Sequence, residues 1–245
     1  MHSRGLYGLQ EERQIVGHAV RQMFGTIAHH YDRLNSVLSF GLHHVWRRQA
    51  VACSGITPGA RVLDLCSGTA DLALAFTRHL RGQGQVIATD FCAAMLVLGR
   101  RKASKRRTPL HFALADAQRL PFREATFDCV AVAFGLRNVD CLGTALGEMY
   151  RVLRPGGVAV VLEFGQPQGV VFGPLYRLYS RYVMPRVGGF VSGNREAYTY
   201  LPRTAAVFPA GARFVQEMTA QDFTHVQVQA LSGGIVYLYT AVRPA

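Results

Sequence analysis

Apolar positions recur in two rhythms along this chain. Residues 10–28 carry Ile15, Ala19, Met23 and Ile27 at steps of four, the spacing of an amphipathic helix. A second helical piece follows through Leu42, Val45, Trp46 and Ala50. The rhythm then changes. Short apolar runs at Arg61–Leu65, Gln85–Thr89, Leu110–Leu114 and Phe127–Ala133 predict buried strands, with helices over Leu72–Leu80 and Ala93–Lys105 between them. Asp140 is placed to cap a helix that buries Leu142, Leu146, Met149 and Leu153. Pro155-Gly156-Gly157 is expected to end that helix before the strand VAVVLEF. Strands alternating with helices predict an α/β fold, a mostly parallel sheet wound on both faces.

From Gly165 this alternation stops. Residues 168–208 are rich in Tyr, Phe, Gly, Pro and Arg, and so long a stretch between strands predicts an inserted helical lid. Ala210–Thr219 reads as a helix. Val226–Leu231 and Ile235–Val242 read as two closing strands, joined by Ser232-Gly233-Gly234 as a hairpin. The chain is thus expected to be one domain over 1–245: a helical cap (1–55), a ligand-binding core (56–167), the lid (168–208) and a closing helix with strands (209–245).

Composition narrows the class. Hydrophobic residues make up 49% of the 245 and charged residues 17%, enough apolar material for a large core and too much for a disordered chain. The net charge of +12 favours a phosphate-bearing partner, either nucleic acid or an anionic membrane. Lys102 and Lys105 are the only lysines, so a bias toward arginine explains the charge equally well. Cys53, Cys66, Cys92, Cys129 and Cys141 are widely spaced and contain no C-x-x-C, which fits neither a zinc site nor a disulfide framework and suggests a reducing, cytoplasmic setting. The start, MHSRGLYGLQEERQ, is too polar for a signal peptide, and no apolar stretch reaches the roughly 18 residues of a spanning helix. The expectation is a protein that is soluble or rests on a membrane without crossing it.

The ligand is expected past the carboxyl end of the first strand, in VLDLCSGTAD (62–71). A dinucleotide fingerprint needs three glycines where this turn has Cys66, Gly68 and Asp71, and an acid at the helix start would repel a pyrophosphate. No Gly-Lys-Ser/Thr follows, so a P-loop is excluded. A nucleoside without phosphate fits better. S-adenosylmethionine has an amino-acid end and a sulfonium, so nearby carboxylates suit it. Gly68 lets the backbone pass close to such a ligand. Asp90 ends the next strand, 90 − 68 = 22 positions on, the spacing of an acid that grips ribose hydroxyls. The third strand leads to Asp116 and Ala117, where an adenine amino group would lie. Each acid taken alone is equally well a helix cap or a solvated loop end.

These residues resemble class I S-adenosylmethionine-dependent methyltransferases. The flanks are more specific. YDRLNSVLSFGLHHVWRR (31–48), AFGLRNV (133–139), MYRVLRPGG (149–157), LEF (162–164) and the lid stretch YRLYSRYVMPRVGGFVSGNREAYTYL resemble the ubiquinone/menaquinone biosynthesis C-methyltransferase family, over nearly the whole chain. The resemblance implies a seven-stranded Rossmann-like sheet, S-adenosylmethionine as cofactor with Asp64, Gly68, Thr69, Asp90, Asp116 and Ala117 around it, and a prenylated quinol as substrate. Two positions depart from the family. Ser67-Gly68-Thr69-Ala70 stands where G-G-T-G is frequent, and Ala133 replaces a serine. These departures also fit a degenerate protein that binds the cofactor without catalysis.

Methylating a ring carbon requires a phenolate held in line with the methyl donor. The resemblance therefore puts Arg137 beside the phenolate as a fixed cation, although an arginine capping carbonyls is the alternative. Asn138 either positions the ring or makes a turn. His29, His30, Tyr31, Asp32 and His43 are the candidates for the base. Tyr31, Tyr198 and Tyr200 either line the pocket or pack the lid. The His-His pairs suggest metal ligands, but there is no third ligand and methyl transfer needs no metal. Phe172, Leu175, Tyr176, Tyr179, Tyr182 and Val183 alternate with Arg177, Arg181 and Arg186, which suits either a membrane interface or a lid packed on its own core. RRKASKRR (100–107) is either the solvated end of a helix or an RNA-binding run. The membrane surface is the expected partner, nucleic acid is not, and a homodimer is compatible with the sequence.

Overall fold

Seven strands form one sheet in the order β3-β2-β1-β4-β5-β7-β6. They are β1 (Arg61–Leu65), β2 (Gln85–Asp90), β3 (His111–Leu114), β4 (Phe127–Ala133), β5 (Leu153–Phe164), β6 (Thr224–Leu231) and β7 (Val236–Val242). The computed structural model describes residues 25, 26, 28, 29, 31–167, 172–184, 186 and 203–245. Most of the helix expected over 10–28, and the 168–171, 185 and 187–202 parts of the expected lid, lie outside these residues. The first five strands pair in parallel, and β7 enters antiparallel between β5 and β6.

The strands are near-continuously apolar because both faces are covered. Successive residues alternate between two cores. Val62, Cys129, Ala131, Val160 and Leu162 pack on one side, against Phe76 among others. Leu63, Val130, Val132, Ala159 and Val161 pack on the other, against Met149 and Phe214 among others. The helices on these faces are α1 (Leu42–Cys53), α2 (Asp71–His79), α3 (Ala93–Lys105), α4 (Leu142–Val152), α5 (Phe172–Leu178) and α6 (Ala212–Thr219). A helical segment over 31–38 precedes α1, and α5 runs into a π turn over Tyr179–Val183.

Local chemistry differs from expectation at α4. Asp140 does not cap it. The cap position is Cys141, whose side chain does not cap the helix, and its N–H donates to Gln118 Oε1 at 2.9 Å. Leu153 belongs to β5 rather than to α4, and Pro155-Gly156-Gly157 lies inside the span of β5. There the pairing shifts register between Phe127 and Cys129, and the Gly156 N–H donates to the Arg243 carbonyl at 2.8 Å. A bulge tolerates a proline and a positive-φ glycine where a regular ladder would not. The closing helix starts at Ala212, two residues later than expected, because the Gly211 N–H donates to the Tyr239 hydroxyl at 2.6 Å. The closing hairpin turns through Ser232–Gly234, and Trp46 Nε1 on α1 donates to Ser232 Oγ at 3.0 Å. The helical cap is thereby tied to the far end of the chain.

From β1 the chain proceeds to β2 and β3 on one side, then restarts at β4 on the other. The carboxyl ends of β1 and β4 therefore flank the point where strand order reverses, which in an open α/β sheet is the ligand crevice.

Candidate active site

The β1 turn bends through three positive-φ residues: Cys66 (50°), Gly68 (55°) and Ala70 (66°). Asp64, inside the strand, pins the start of α2 by accepting from the Ala73 N–H at 2.9 Å. Burial pushes its carboxyl up to about 8. Asp64 Oδ1 and Ser67 Oγ are buried with no hydrogen-bond partner among the described residues. The Gly68 N–H donates to Asp90 Oδ2 at 2.8 Å, while Asp90 Oδ1 accepts from the Cys92 N–H at 2.8 Å. Burial raises the Asp90 carboxyl as well. A side chain at Gly68 would meet the Tyr31 ring, 3.9 Å from where its Cβ would lie, so Tyr31 covers the turn. Asp116 is exposed, with Oδ1 accepting from the Gln118 N–H at 2.9 Å, and Ala117 is buried.

Asp64, Gly68 and Asp90 are thus brought to one place, with Asp116 and Ala117 past the end of the neighbouring β3. Thr69 is turned aside, and its hydroxyl donates to Asp32 Oδ1 at 2.5 Å. These residues fit S-adenosylmethionine: a turn open at Gly68, buried polar atoms without partners among the described residues, and an acid at the end of β2.

The second turn follows β4. Gly135 sits against the first, and a Cβ there would lie 2.3 Å from Cys66 Cβ. Beyond it Arg137 occupies a short 3-10 turn (Leu136–Asn138). Its Nη1 lies 2.7 Å from Glu163 Oε1 on β5 and also donates to the Phe134 carbonyl. The guanidinium carbon lies 5.1 Å from the Phe164 ring centre. The pair is buried, with side chains 4% and 1% exposed. Arg137 therefore both caps a carbonyl and lines the adjoining cavity. Asn138 Oδ1 is buried without a partner.

That cavity holds about 490 Å³ between the 31–47 region, the ends of β4 and β5, and α5. Its walls are mostly apolar, including Trp46, Phe134, Phe164 and Tyr176. Tyr31 lines it, with its hydroxyl raised by burial. His43 lines it too, with Nδ1 accepting from Arg47 and Nε2 lying 3.1 Å from Ser36 Oγ. Burial, and then the Arg47 charge, push His43 down to about 3, so it is neutral and a weak base. Arg47 is buried, 5.5 Å from the Phe134 ring centre, and no carboxylate pairs with it among the described residues.

Two candidates for the base are placed elsewhere. His29 is exposed and outside the cavity wall. Asp32 is held by Lys102 Nζ at 2.6 Å as well as by Thr69, so it is committed to the β1 turn. His30, Tyr198 and Tyr200 lie outside the described residues. Sequence reasoning missed Arg47 and Glu163. The four-residue step from His43 to Arg47 on the face of Trp46 was a signal for the first, and a lone acid inside VAVVLEF for the second.

The profile of the ubiE/COQ5 methyltransferase family matches residues 8–243. The ubiquinone/menaquinone biosynthesis C-methyltransferase UbiE of Bdellovibrio bacteriovorus is 43% identical over 221 residues, 90% of this chain and 94% of that protein. The demethylmenaquinone methyltransferase of Thermus thermophilus is 44% identical over 222 residues, 91% of this chain and all of that protein. Among solved structures, an S-adenosylmethionine-dependent methyltransferase of Thermotoga maritima shares the fold, with a TM-score of 0.63 at 19% identity over 91% of this chain and 98% of that one. A crevice suited to the cofactor, at the strand-order reversal of this sheet, agrees with those matches, and the chain belongs to the ubiE/COQ5 methyltransferase family.

Proposed function

We propose that this protein transfers the methyl group of S-adenosylmethionine to a ring carbon of a prenylated quinol, demethylmenaquinol or its benzoquinol counterpart in ubiquinone synthesis, while bound peripherally at the inner face of the cell membrane. The observation that carries the reading is the aromatic cavity beside the crevice, which is lined by two buried guanidiniums, one of them paired behind the wall with the buried Glu163. The relatives named above act in the same chemistry by name.

Gly68 and the β1 turn carry the cofactor, Asp90 takes its ribose hydroxyls, and Asp116 with Ala117 takes its adenine. When bound, the cofactor supplies an electrophilic methyl group on a cationic sulfur. The chain's part is to make the ring carbon nucleophilic. Arg47 and Arg137 against Glu163 leave one net positive charge, which stabilises a phenolate in a dry cavity. Tyr31 stays protonated and is a hydrogen-bond donor to the same oxygen. His43 is too weak a base near neutrality to take the hydroxyl proton, so that proton passes to solvent water as the quinol enters and the cavity holds the phenolate left behind; the ring proton displaced by the methyl group likewise goes to water.

The test is incubation of purified protein and cofactor with chemically reduced demethylmenaquinone and its benzoquinone counterpart, followed by mass spectrometry. Products heavier by one methyl on the ring support the reading. If both quinols stay unmethylated while the protein binds the cofactor, the substrate assignment falls.

A further inference from the structure

The mouth of the cavity carries side chains that its interior does not explain. Phe40, at the tip between the 31–38 segment and α1, is 81% exposed on a left-handed backbone (φ 50°). Across from it, α5 exposes Leu175 (60%) and Leu178 (57%), and the π turn exposes Tyr182 and Val183. The two edges belong to one rim. The Phe40 and Tyr179 rings are 6.2 Å apart, and the Tyr179 hydroxyl donates to the Leu38 carbonyl at 2.9 Å.

Charge on this rim is one-sided. Of the 15 acidic residues in the chain, none falls in 33–63 or in 164–195, the stretches that contain the two edges. Arg177, Arg181 and Arg186 are exposed on the α5 side, and His44 and Arg48 on α1. Apolar side chains ringed by cations, in stretches of sequence that hold no carboxylate, match the boundary of an anionic bilayer, where apolar groups enter the acyl region and cations meet headgroup phosphates. A second copy of the chain would instead bring like charges together.

We propose that this rim is the docking surface for an anionic bilayer, with Phe40, Leu175 and Leu178 inserted and Arg177, Arg181 and Arg186 on the headgroups, so that the cavity opens directly into the lipid. The docking rests on the membrane-bound part of the function proposed above and is independent of which quinol passes through the mouth.

The probe is vesicles of equal parts phosphatidylglycerol and phosphatidylcholine, compared with phosphatidylcholine alone. The full chain is expected to sediment with the anionic vesicles. The variant combining Leu178→Ser, Arg177→Gln and Arg181→Gln, none of which lines the cavity, is expected to bind them at least about thirtyfold more weakly. It should keep its thermal midpoint and its rate on a short-tailed, water-soluble quinol. Trp46 is the only tryptophan and is buried, so a Leu178→Trp reporter should shift to shorter wavelength and be quenched by brominated lipid. A Val228→Trp reporter on the edge strand β6 should not.

Equal vesicle binding by the triple variant overturns the proposal. So does an unquenched Leu178→Trp protein that still sediments, or a dimer that the triple variant abolishes while the parent ignores lipid. Vesicle binding through the rim with no methylation of any quinol leaves the docking intact and removes the quinol reading. Methylation of the soluble quinol with no vesicle binding does the reverse.

Discussion

A Cβ built at residue 135 would lie 2.3 Å from the Cβ of Cys66, closer than side chains approach, so the β4 turn passes the β1 turn only as glycine. Gly135→Ala is expected to destabilise the fold by about 1–3 kcal/mol and to weaken cofactor binding, because the β1 turn must move. Urea unfolding and calorimetric titration of the cofactor check both effects. The Arg137–Glu163 pair poses a different problem. Arg137→Met alone strands a carboxylate that is 1% exposed, which costs about 3–5 kcal/mol. Adding Glu163→Met should restore much of that stability while turnover stays low, since Arg47 keeps the net charge of the cavity unchanged but the guanidinium proposed to touch the phenolate is gone. If the double variant regains both stability and turnover, Arg137 is structural only. Asp64 sets a pH dependence. Its folded pKa, about 8, lies above its ordinary 3.8, so the native state holds the proton longer than the unfolded chain. Stability from this group is therefore greatest at low pH and falls as pH rises through that window, by up to about 1.4 kcal/mol per pH unit. Asp64→Asn should flatten the slope relative to the parent between pH 5 and 8 in chemical denaturation of the cofactor-free protein.

At the scale of elements, helix α3 has two faces of very different meaning. Most of RRKASKRR is solvated, but Lys102 turns inward. Its Nζ reaches Asp71 at 2.8 Å, Thr69 Oγ1 at 2.9 Å and Asp32 at 2.6 Å. One lysine thus fastens the 31–38 segment to the β1 turn, and nothing in that arrangement favours RNA. Burial would push the Asp71 carboxyl up, but the charges of Lys102 and Arg47 and the Lys102 hydrogen bond outweigh it and hold the carboxyl below its usual range. Lys102→Met should loosen the latch more than the fold. Amide exchange over 31–38 is expected to rise several-fold while the global midpoint barely moves, because local openings need not involve global unfolding. Equal exchange in parent and variant would mean that packing alone holds the segment. Helix α4 does a comparable task on the other face. Arg151 joins Glu148 at 2.6 Å and donates to the Phe122 carbonyl at 2.8 Å, and Glu148 Oε2 accepts from the Leu120 N–H at 2.7 Å. The loop after Asp116 is pinned to a helix in this way.

At the scale of the whole molecule, the two cores share the strands between them. Phe76 anchors one and Phe214 the other. Because neither face can lose its cover without exposing the sheet, unfolding should be a single transition. Phe76→Ala and Phe214→Ala should each cost about 3–5 kcal/mol from that same transition. Two separate transitions in calorimetry would show that the faces melt independently. No described helix is long and apolar enough to cross a membrane. Most of the α/β core was legible from pattern alone: β1, α3 and β4 were bounded to the residue. The expectation failed where a tertiary partner displaced a local signal, as when Gln118 rather than Asp140 met the start of α4.

The sequence by itself determined the elements and the β1 turn. Burial on two faces dictates apolar runs, and the small residues that let the turn bend sit next to one another in the chain. Strand order, and with it the meeting of remote side chains, was decided only in three dimensions. Arg137 meets Glu163 across 26 positions because β4 pairs with β5, and Trp46 meets Ser232 across 186 because the hairpin closes on α1. Asp32, a free carboxylate on paper, became the ligand of Lys102, and Arg47, one of many arginines, became a buried cation in the cavity. Periodicity records which face of an element is buried, but not which other face it will be buried against. The latter follows from sheet register and helix packing, and that is where the charge of the cavity was decided.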